Sequence, residues 1–327
     1  MFSASAAEKL NLDPTFLYPA SLARQYAPND LVFSSAKWGE AGYYDISIDF
    51  NADMNWWFAN PEVDTLGETL PIRNEYVGDG YLTGNMYDFE QIAIHELLHG
   101  LGFISSWYPW LGDDYILPGW LSYGPNGTIT GLEPSYLYDR NLAFSGNQTW
   151  MTYYSDRIRS IATTLSQKLK TTDENQWYRE FTRTEAAKIG AWLKSKVAVT
   201  PQSVVSFFPL RRLFDLTNGD SVQTVSGQSD RVVSQKTTTS SNIENTTVAM
   251  DFGYAVVYTP VDYSRGSTFS HIDAAYYEGT TEFLMRPFGT PNVGLDGFIP
   301  KGKNGPIGRN VLGILRAMGY ATALGPI

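Results

Sequence analysis

The clearest periodic pattern of apolar and polar positions covers residues 89–99, where apolar side chains recur at helical spacing. Asp88 stands at the N-cap position, and Gln91 follows three residues later, as in a capping box. Gly100 and Gly102 come directly after the pattern and are typical of a helix end. The pattern therefore predicts a helix that begins after Asp88 and ends at these glycines.

Other stretches of the chain predict both helices and strands. Helical spacing recurs in three segments: 156–170, 173–196 and 309–318, the last followed by Gly319. Alternating or short apolar runs predict strands in four segments, the last of them irregular: 44–50, 204–208, 254–258 and 78–84. An Asn-Gly hairpin signal lies in segment 214–223, and the Ser/Thr-rich segment 226–247 predicts a loop. Helices and strands in separate blocks are typical of the α+β class.

The order of these segments predicts three parts. Residues 1–145 are expected to form an N-terminal subdomain in which a mixed sheet carries the 89–99 helix. Residues 146–248 are expected to be a large, partly helical insertion. Residues 249–327 are expected to form a C-terminal subdomain closed by the 309–318 helix.

Composition excludes several classes of protein. Hydrophobic residues make up 43 % of the chain and charged residues 18 %, which excludes a disordered chain. The net charge of −10 argues against a nucleic-acid partner, because phosphate binding needs a basic surface. No apolar run approaches the roughly 20 residues of a membrane-spanning helix, and Met1 begins no recognisable signal peptide. The chain has no cysteine, which excludes thiol catalysis and cysteine zinc ligands. We expect a monomer without a membrane span.

The predicted helix carries a metal-binding pattern, His95-Glu96-Leu97-Leu98-His99. Four residues advance about 400° on a helix, so both imidazoles project from one face and can bind one zinc ion. Glu96 is displaced by about 100° and can reach a zinc-bound water without being a ligand. The alternative is a core helix that contains two histidines by chance, which a random chain of this composition shows about once in a thousand.

A catalytic zinc usually has three protein ligands and one open position. The chain has 3 histidines, so the remaining one, His271, is the first candidate for the third ligand. The rival ligands are Asp273, Glu278 and Glu282, and His271 would then be a buried structural histidine. Asp273 could also orient a histidine or a loop beside the metal.

Residues 95–103, His-Glu-Leu-Leu-His-Gly-Leu-Gly-Phe, resemble the active-site helix of metzincin zinc peptidases. The extended metzincin motif is HExxHxxGxxH, with a methionine turn further downstream, but Ser105 stands here at the position of the last histidine. The leishmanolysin-like branch has the same departure, with a distant third histidine followed by a Leu-Met segment. His271 and Leu284-Met285 are similar to that arrangement, and the chain is also similar to secreted bacterial and fungal proteins that carry HExxHGLGF.

This resemblance implies a metzincin-like catalytic domain with one catalytic Zn²⁺ on His95, His99 and His271, above a methionine turn at Met285. It implies a secreted endopeptidase that acts on proteins or peptides. Glu96 would be the general base that takes a proton from the zinc-bound water. It also implies that the substrate pairs as a strand with an edge formed by residues 78–86.

Two other functions stay open at the level of the sequence. One is a zinc-dependent amidase that acts on a non-protein substrate, and the other is a non-catalytic carbohydrate- or protein-binding module with a structural zinc. Several further residues have two interpretations. Tyr276 and Tyr277 could stabilise an oxyanion or simply pack, the aromatic run 56–58 could stack on a sugar or belong to the core, and Asp113-Asp114 could bind calcium or form a solvated turn.

Overall fold

A computed structural model describes residues 12–26, 45–58, 85–110, 114–145, 149–199, 204–212, 250–280, 282–295, 306–320 and 322. Its helices are α1 Ala20–Tyr26, α2 Phe89–Gly100, α3 Met151–Leu169, α4 Glu174–Phe181, α5 Glu185–Val199 and α6 Arg309–Met318. Its strands are β1 Phe16–Leu17, β2 Trp56–Trp57, β3 Tyr87–Asp88, β4 Tyr108–Trp110, β5 Tyr115–Leu117, β6 Leu121–Tyr123, β7 Ile129–Leu132, β8 Ser135–Tyr136, β9 Leu142–Phe144, β10 Val204–Arg212 and β11 Met250–Val256. Two 3₁₀ turns cover Leu137–Asn141 and Phe283–Met285. The predicted α+β class is confirmed.

The strands form small separate sheets where one mixed sheet was expected. Within the described ranges, β1 pairs with β8, β2 with β3, β4 with β5 and β6 with β7, while β9, β10 and β11 form a three-stranded antiparallel sheet. Every described strand before residue 145 has two to four residues, because glycines, prolines and turns interrupt the apolar runs. The prediction of a strand over 44–50 is wrong for residues 45–50, which have no regular secondary structure.

The helices expected over 156–170 and 173–196 differ from those observed in their bounds and in their number, since α3 begins at Met151 and α5 ends at Val199. The helix expected over 173–196 is two helices, α4 and α5, separated by a turn at residues 182–184. Asp173 accepts hydrogen bonds from the first turn of α4, and the Thr184 hydroxyl caps α5 by accepting from the Ala187 amide at 3.4 Å. The cap at Thr184 lies inside the predicted helical pattern and divides it into two helices.

Helices α3 and α5 pack onto strands of the first 145 residues. Helix α3 lies against β7, and α5 lies against β5. Strand β10 pairs with β9 on one side and with β11 on the other, so it joins the segments that flank residues 146–248. Buried residues from all three predicted parts share one hydrophobic cluster. The boundaries at 145 and 248 stay predictions, since a shared core does not define them.

Some expectations fall outside this description. Segment 78–84, the Asn-Gly hairpin signal and the loop over 226–247 lie outside the described residues. Strand β10 begins at Val204 as expected and is longer than predicted. Strand β11 begins four residues before the predicted 254–258 and overlaps it over residues 254–256. Helix α6 has the predicted bounds and ends at Gly319, whose φ is +109°. None of the helices in the described residues is long and apolar enough to span a bilayer.

Candidate metal centre

Helix α2 is fixed at its start by the Asp88 carboxylate. One carboxylate oxygen accepts from the Gln91 amide at 3.2 Å, which confirms the predicted N-cap. The other oxygen accepts from the Leu295 amide at 2.6 Å. Asp88 is buried, so the same carboxylate starts the helix and ties it to the C-terminal part of the chain.

The helix ends in a reversal that orients His99. Gly102 has a φ of +95°, a conformation that favours glycine, and a Cβ atom there would overlap the Pro19 ring. The reversal brings the Phe103 carbonyl back to His99, whose Nδ1 lies 2.7 Å from it. A carbonyl oxygen can only accept, so Nδ1 carries the proton and Nε2 presents a lone pair.

The orientation of His95 is fixed by a residue that lies 189 positions further along the chain. The His95 Nδ1 lies 2.6 Å from the Leu284 carbonyl, in the 3₁₀ turn Phe283–Met285. The next carbonyl of that turn, on Met285, accepts from the Ile272 amide at 2.9 Å. The Leu284-Met285 turn therefore contacts His95 directly, and it is hydrogen-bonded to Ile272, the residue that follows His271.

His271 is held by its own loop and by the segment that follows β11. Its Nδ1 lies 2.9 Å from the Ser267 carbonyl, and its own carbonyl accepts from the Tyr258 amide at 2.8 Å. Phe269, two residues earlier, has a φ of +67° and a fully buried ring, which fixes the bend that presents His271. His271 is 5 % exposed, so its place is set by the core.

The three histidines converge through their Nε2 atoms. The His271 Nε2 lies 3.2 Å from the Nε2 of His99 and 3.2 Å from that of His95. Three nitrogens bound tetrahedrally to one zinc, each at about 2.0–2.1 Å, lie about 3.3–3.4 Å apart. Each Nδ1 proton is already donated to a carbonyl, so three lone pairs face a common point, an arrangement that a cation stabilises. The cluster could hold a metal ion.

Burial keeps the imidazoles of His99 and His271 neutral. It lowers the pKa of His99 to about 4 and that of His271 to about 3, and the neighbouring imidazoles lower both pKa values further. The hydrogen bonds to Phe103 and Ser267 oppose the lowering. Both histidines are therefore in the neutral form that binds metals at neutral pH.

The carboxylates proposed as rival ligands have other contacts. Asp273 accepts from the Tyr276 amide at 2.7 Å and so closes the turn after His271. The Glu282 carboxylate accepts from the amides of Asn310 and Val311 at 2.9 and 3.3 Å, at the start of α6. A Cβ atom on Gly308 would overlap that carboxylate, so glycine leaves room for it. Glu278 is exposed. Among the described residues, the cluster that could hold a metal ion consists of the three histidines.

Glu96 lies beside the cluster at an open pocket. It is half-buried and lines the pocket together with His95 and with residues of α2 and the segment after Met285. The side chain is therefore next to the histidines and open to solvent. This placement suits a group that exchanges protons with a bound water.

Asp139 is a residue of this region that the sequence did not indicate. Its buried carboxylate accepts from the hydroxyl of Ser105 at 2.6 Å and from the hydroxyl and amide of Ser106 at 2.6 and 2.9 Å. The Ser105 amide in turn donates to Ser270, which adjoins His271. Burial raises the pKa of Asp139 to about 6, and the serine hydrogen bonds oppose this. No sequence signal predicts a carboxylate that reaches across 34 residues.

The remaining candidates do not join the cluster. The Tyr277 hydroxyl accepts from the Val256 amide at 2.9 Å and the side chain is buried, while Tyr276 is 40 % exposed.

The aromatic run 56–58 lies at the start of α2. Trp56 packs edge-on against Phe89, with 5.6 Å between ring centres, and Trp57 is buried. Trp56 and Trp57 therefore fit the packing interpretation. Phe58 is 61 % exposed and lies 4.9 Å from the Phe89 ring. Asp114 is exposed, and Asp113 lies outside the described residues.

The comparisons with known proteins give one match. A family model described as SPBPB7E8-like matches residues 12–325, and the chain therefore belongs to this family. No curated protein matches the chain, and neither does any solved structure.

Proposed function

For this member of the SPBPB7E8-like family, we propose a zinc-dependent endopeptidase that hydrolyses peptide bonds with Glu96 as general base. The observation that carries the proposal is that the His271 Nε2 atom lies 3.2 Å from the Nε2 atoms of both His95 and His99, while a backbone carbonyl fixes each ring at Nδ1. Imidazole ligands suit zinc, and three of them leave one of its four positions open.

The proposed mechanism assigns one task to each group. His95, His99 and His271 would hold the ion. The carbonyls of Leu284, Phe103 and Ser267 orient the three rings for it. When bound, the zinc supplies an activated water with a pKa near 7. Glu96, beside the cluster, would be the general base of peptide hydrolysis and would return the proton to the leaving amine.

The metzincin resemblance is part of the proposal. It is supported by the capped HExxH helix, by the glycine reversal at Gly102 and by the Leu284-Met285 turn that contacts His95. Met285 is fully buried, as expected for a packing residue next to a metal site. Secretion and an extended substrate at residues 78–86 rest on the same resemblance. At the end of that segment, the Met86 amide and carbonyl both bond to Asn292, at 2.9 and 2.7 Å.

The test is cleavage of a mixed peptide library and of casein by the purified chain. Activity should disappear with a chelator and return with zinc but not with magnesium or calcium. A muropeptide assay run in parallel addresses the amidase alternative. Zinc-loaded protein that cleaves muropeptides and no peptide would replace the proposal with an amidase. Protein that cleaves neither would favour a binding module, although a structural site has no use for a half-buried Glu96 beside an open pocket.

A further inference from the structure

The pocket beside Glu96 is lined by α2 on one side and by the segment 284–289 on the other. On the α2 side, the lining residues are Gln91, Ile92, His95 and Glu96. Gly289 holds this segment close to α2, because a Cβ atom there would lie 3.0 Å from the Ile92 Cδ1 atom. Whatever occupies the pocket therefore lies between Glu96 and the segment after Met285.

Arg286 is the positively charged residue of the segment 284–289. Its Nε donates to the Phe283 carbonyl at 3.2 Å, and one terminal nitrogen donates to the Thr290 hydroxyl at 3.1 Å. The guanidinium is half-buried and lies in the same short segment as Leu284, whose carbonyl orients His95. A guanidinium that is already held in place loses little side-chain entropy when it binds a ligand.

The Arg286 guanidinium supplies the positive charge that an anionic ligand of this pocket would need. Burial lowers the pKa of Arg286, and the neighbouring exposed Glu278 opposes this, so the guanidinium stays charged. Phe288, in the same segment, is 58 % exposed and offers an apolar surface beside the charge. The chain as a whole carries a net charge of −10, so an attraction for anions has to come from a local group.

We propose that Arg286 is the specificity-determining residue of this pocket and selects a substrate carboxylate next to the scissile bond. This inference rests on the proposed peptidase function and adds the substrate class to it. A hydrogen bond between a guanidinium and a carboxylate is stronger than one between neutral groups. The carboxylate comes either from an acidic side chain or from the C-terminus of the peptide.

The first measurement is kcat/KM for matched fluorogenic peptides. One pair differs only by Glu or Gln at a single position, which is moved through the positions on both sides of the bond. A second pair differs only by a free or amidated C-terminus. At one position the acidic peptide should be cleaved about tenfold or more faster than its neutral partner. The first pair reports a side-chain carboxylate and the second a terminal one.

The second measurement repeats these ratios in three variants. Arg286→Gln should bring the acidic-to-neutral ratio close to one, and Arg286→Lys should retain part of it. The matched control is Arg183→Gln, since Arg183 is an exposed arginine that pairs with Glu180 and does not line the pocket. A ratio of two substrates is independent of the fraction of folded, zinc-loaded protein, so an unstable variant cannot imitate the effect.

A binding assay separates this inference from the proposed function. The Glu96→Gln variant, loaded with zinc, is titrated with the same labelled acidic and neutral peptides by fluorescence anisotropy. Tighter binding of the acidic peptide that disappears in Glu96→Gln/Arg286→Gln supports the carboxylate site even if the wild type cleaves nothing. Cleavage of peptides by the wild type with no acidic preference at any position, or with a preference that Arg286→Gln leaves unchanged, overturns the inference and leaves the peptidase intact. Equal binding of acidic and neutral peptides also overturns it.

Discussion

The Nδ1 atom of His95 lies 2.6 Å from the carbonyl oxygen of Leu284, across 189 residues of sequence. Because the carbonyl can only accept, this bond fixes which nitrogen of His95 faces the other two histidines. It also places the Leu284-Met285 turn against α2. The candidate metal centre thus depends on the meeting of two distant parts of the chain.

Replacement of His271 should remove the metal without removing the fold. We expect His271→Ala to reduce bound zinc from one ion per chain to near zero after dialysis, because two imidazoles bind zinc far more weakly than three. Elemental analysis and circular dichroism measure the two effects.

The matched control for this variant is Glu278→Gln, which removes an exposed carboxylate proposed as a rival ligand. It should retain one zinc per chain. Full zinc in His271→Ala, or zinc loss in Glu278→Gln, would contradict the three-histidine assignment.

Gly102→Ala should destabilise the protein and weaken metal binding together. The substitution places a side chain at a φ of +95° and against Pro19, and it disturbs the reversal that brings the Phe103 carbonyl to His99. We expect a loss in the free energy of unfolding of about 2 kcal/mol or more. Chemical denaturation and zinc competition with a chromophoric chelator measure these effects.

Gly127→Ala is the control for backbone strain alone. Gly127 has a φ of +73°, and a Cβ atom there has nothing within 4 Å. It should cost about 1 kcal/mol and leave zinc affinity unchanged. The account of the reversal is wrong if both glycine variants bind zinc equally well.

Asp139→Ala should destabilise the loop that follows α2. It leaves the hydroxyls of Ser105 and Ser106 and one amide without their buried acceptor, which costs about 2–3 kcal/mol in the free energy of unfolding. The control Asp173→Ala removes an exposed N-cap and should cost about 1 kcal/mol. Similar losses in the two variants, measured by urea denaturation, would mean that the buried network contributes little.

The metal-free protein should lose stability as the pH falls from about 6.5. The folded pKa of His271 is lowered to about 3 and that of His99 to about 4, so the unfolded chain binds more protons below pH 6.5. The contribution of each histidine is fully present above pH 6.5 and is lost towards its folded pKa. Asp139 acts in the opposite direction, because its raised pKa of about 6 favours the folded state as the pH falls.

A comparison of the wild type with His271→Gln isolates one of these groups. Both proteins, stripped of metal, are unfolded with urea between pH 7 and pH 4. The stability of the wild type relative to the variant should decrease steadily as the pH falls. A relative stability that is constant or increases would contradict the lowered pKa of His271.

Much of the centre was accessible from the sequence because its signals are local. The spacing of His95 and His99, the Asp88 cap and the stop at Gly102 act within a few residues, and the structure confirms the helix they predict. His271 was identified for a different reason, since a chain with 3 histidines offers few choices. The structure brings it to the other two.

What the sequence did not reveal depends on long-range packing. The roles of Asp139 and Glu282 depend on backbone amides and hydroxyls that lie 28 to 34 residues away, and no periodicity encodes such partners. The small sheets escaped prediction for a related reason. Strands of two or three residues leave almost no alternation in the sequence, so their pairing is set by the surrounding core.

The most direct test of the proposed function is the turnover of Glu96→Gln with its zinc content measured in the same sample. The amide has the size of the carboxylate and cannot accept the proton of the water. We predict one zinc per chain, an unchanged melting temperature and a kcat for peptide cleavage reduced by about 10²- to 10⁴-fold. A zinc-loaded Glu96→Gln variant that retains a tenth or more of the wild-type kcat would contradict the assignment of Glu96 as the general base.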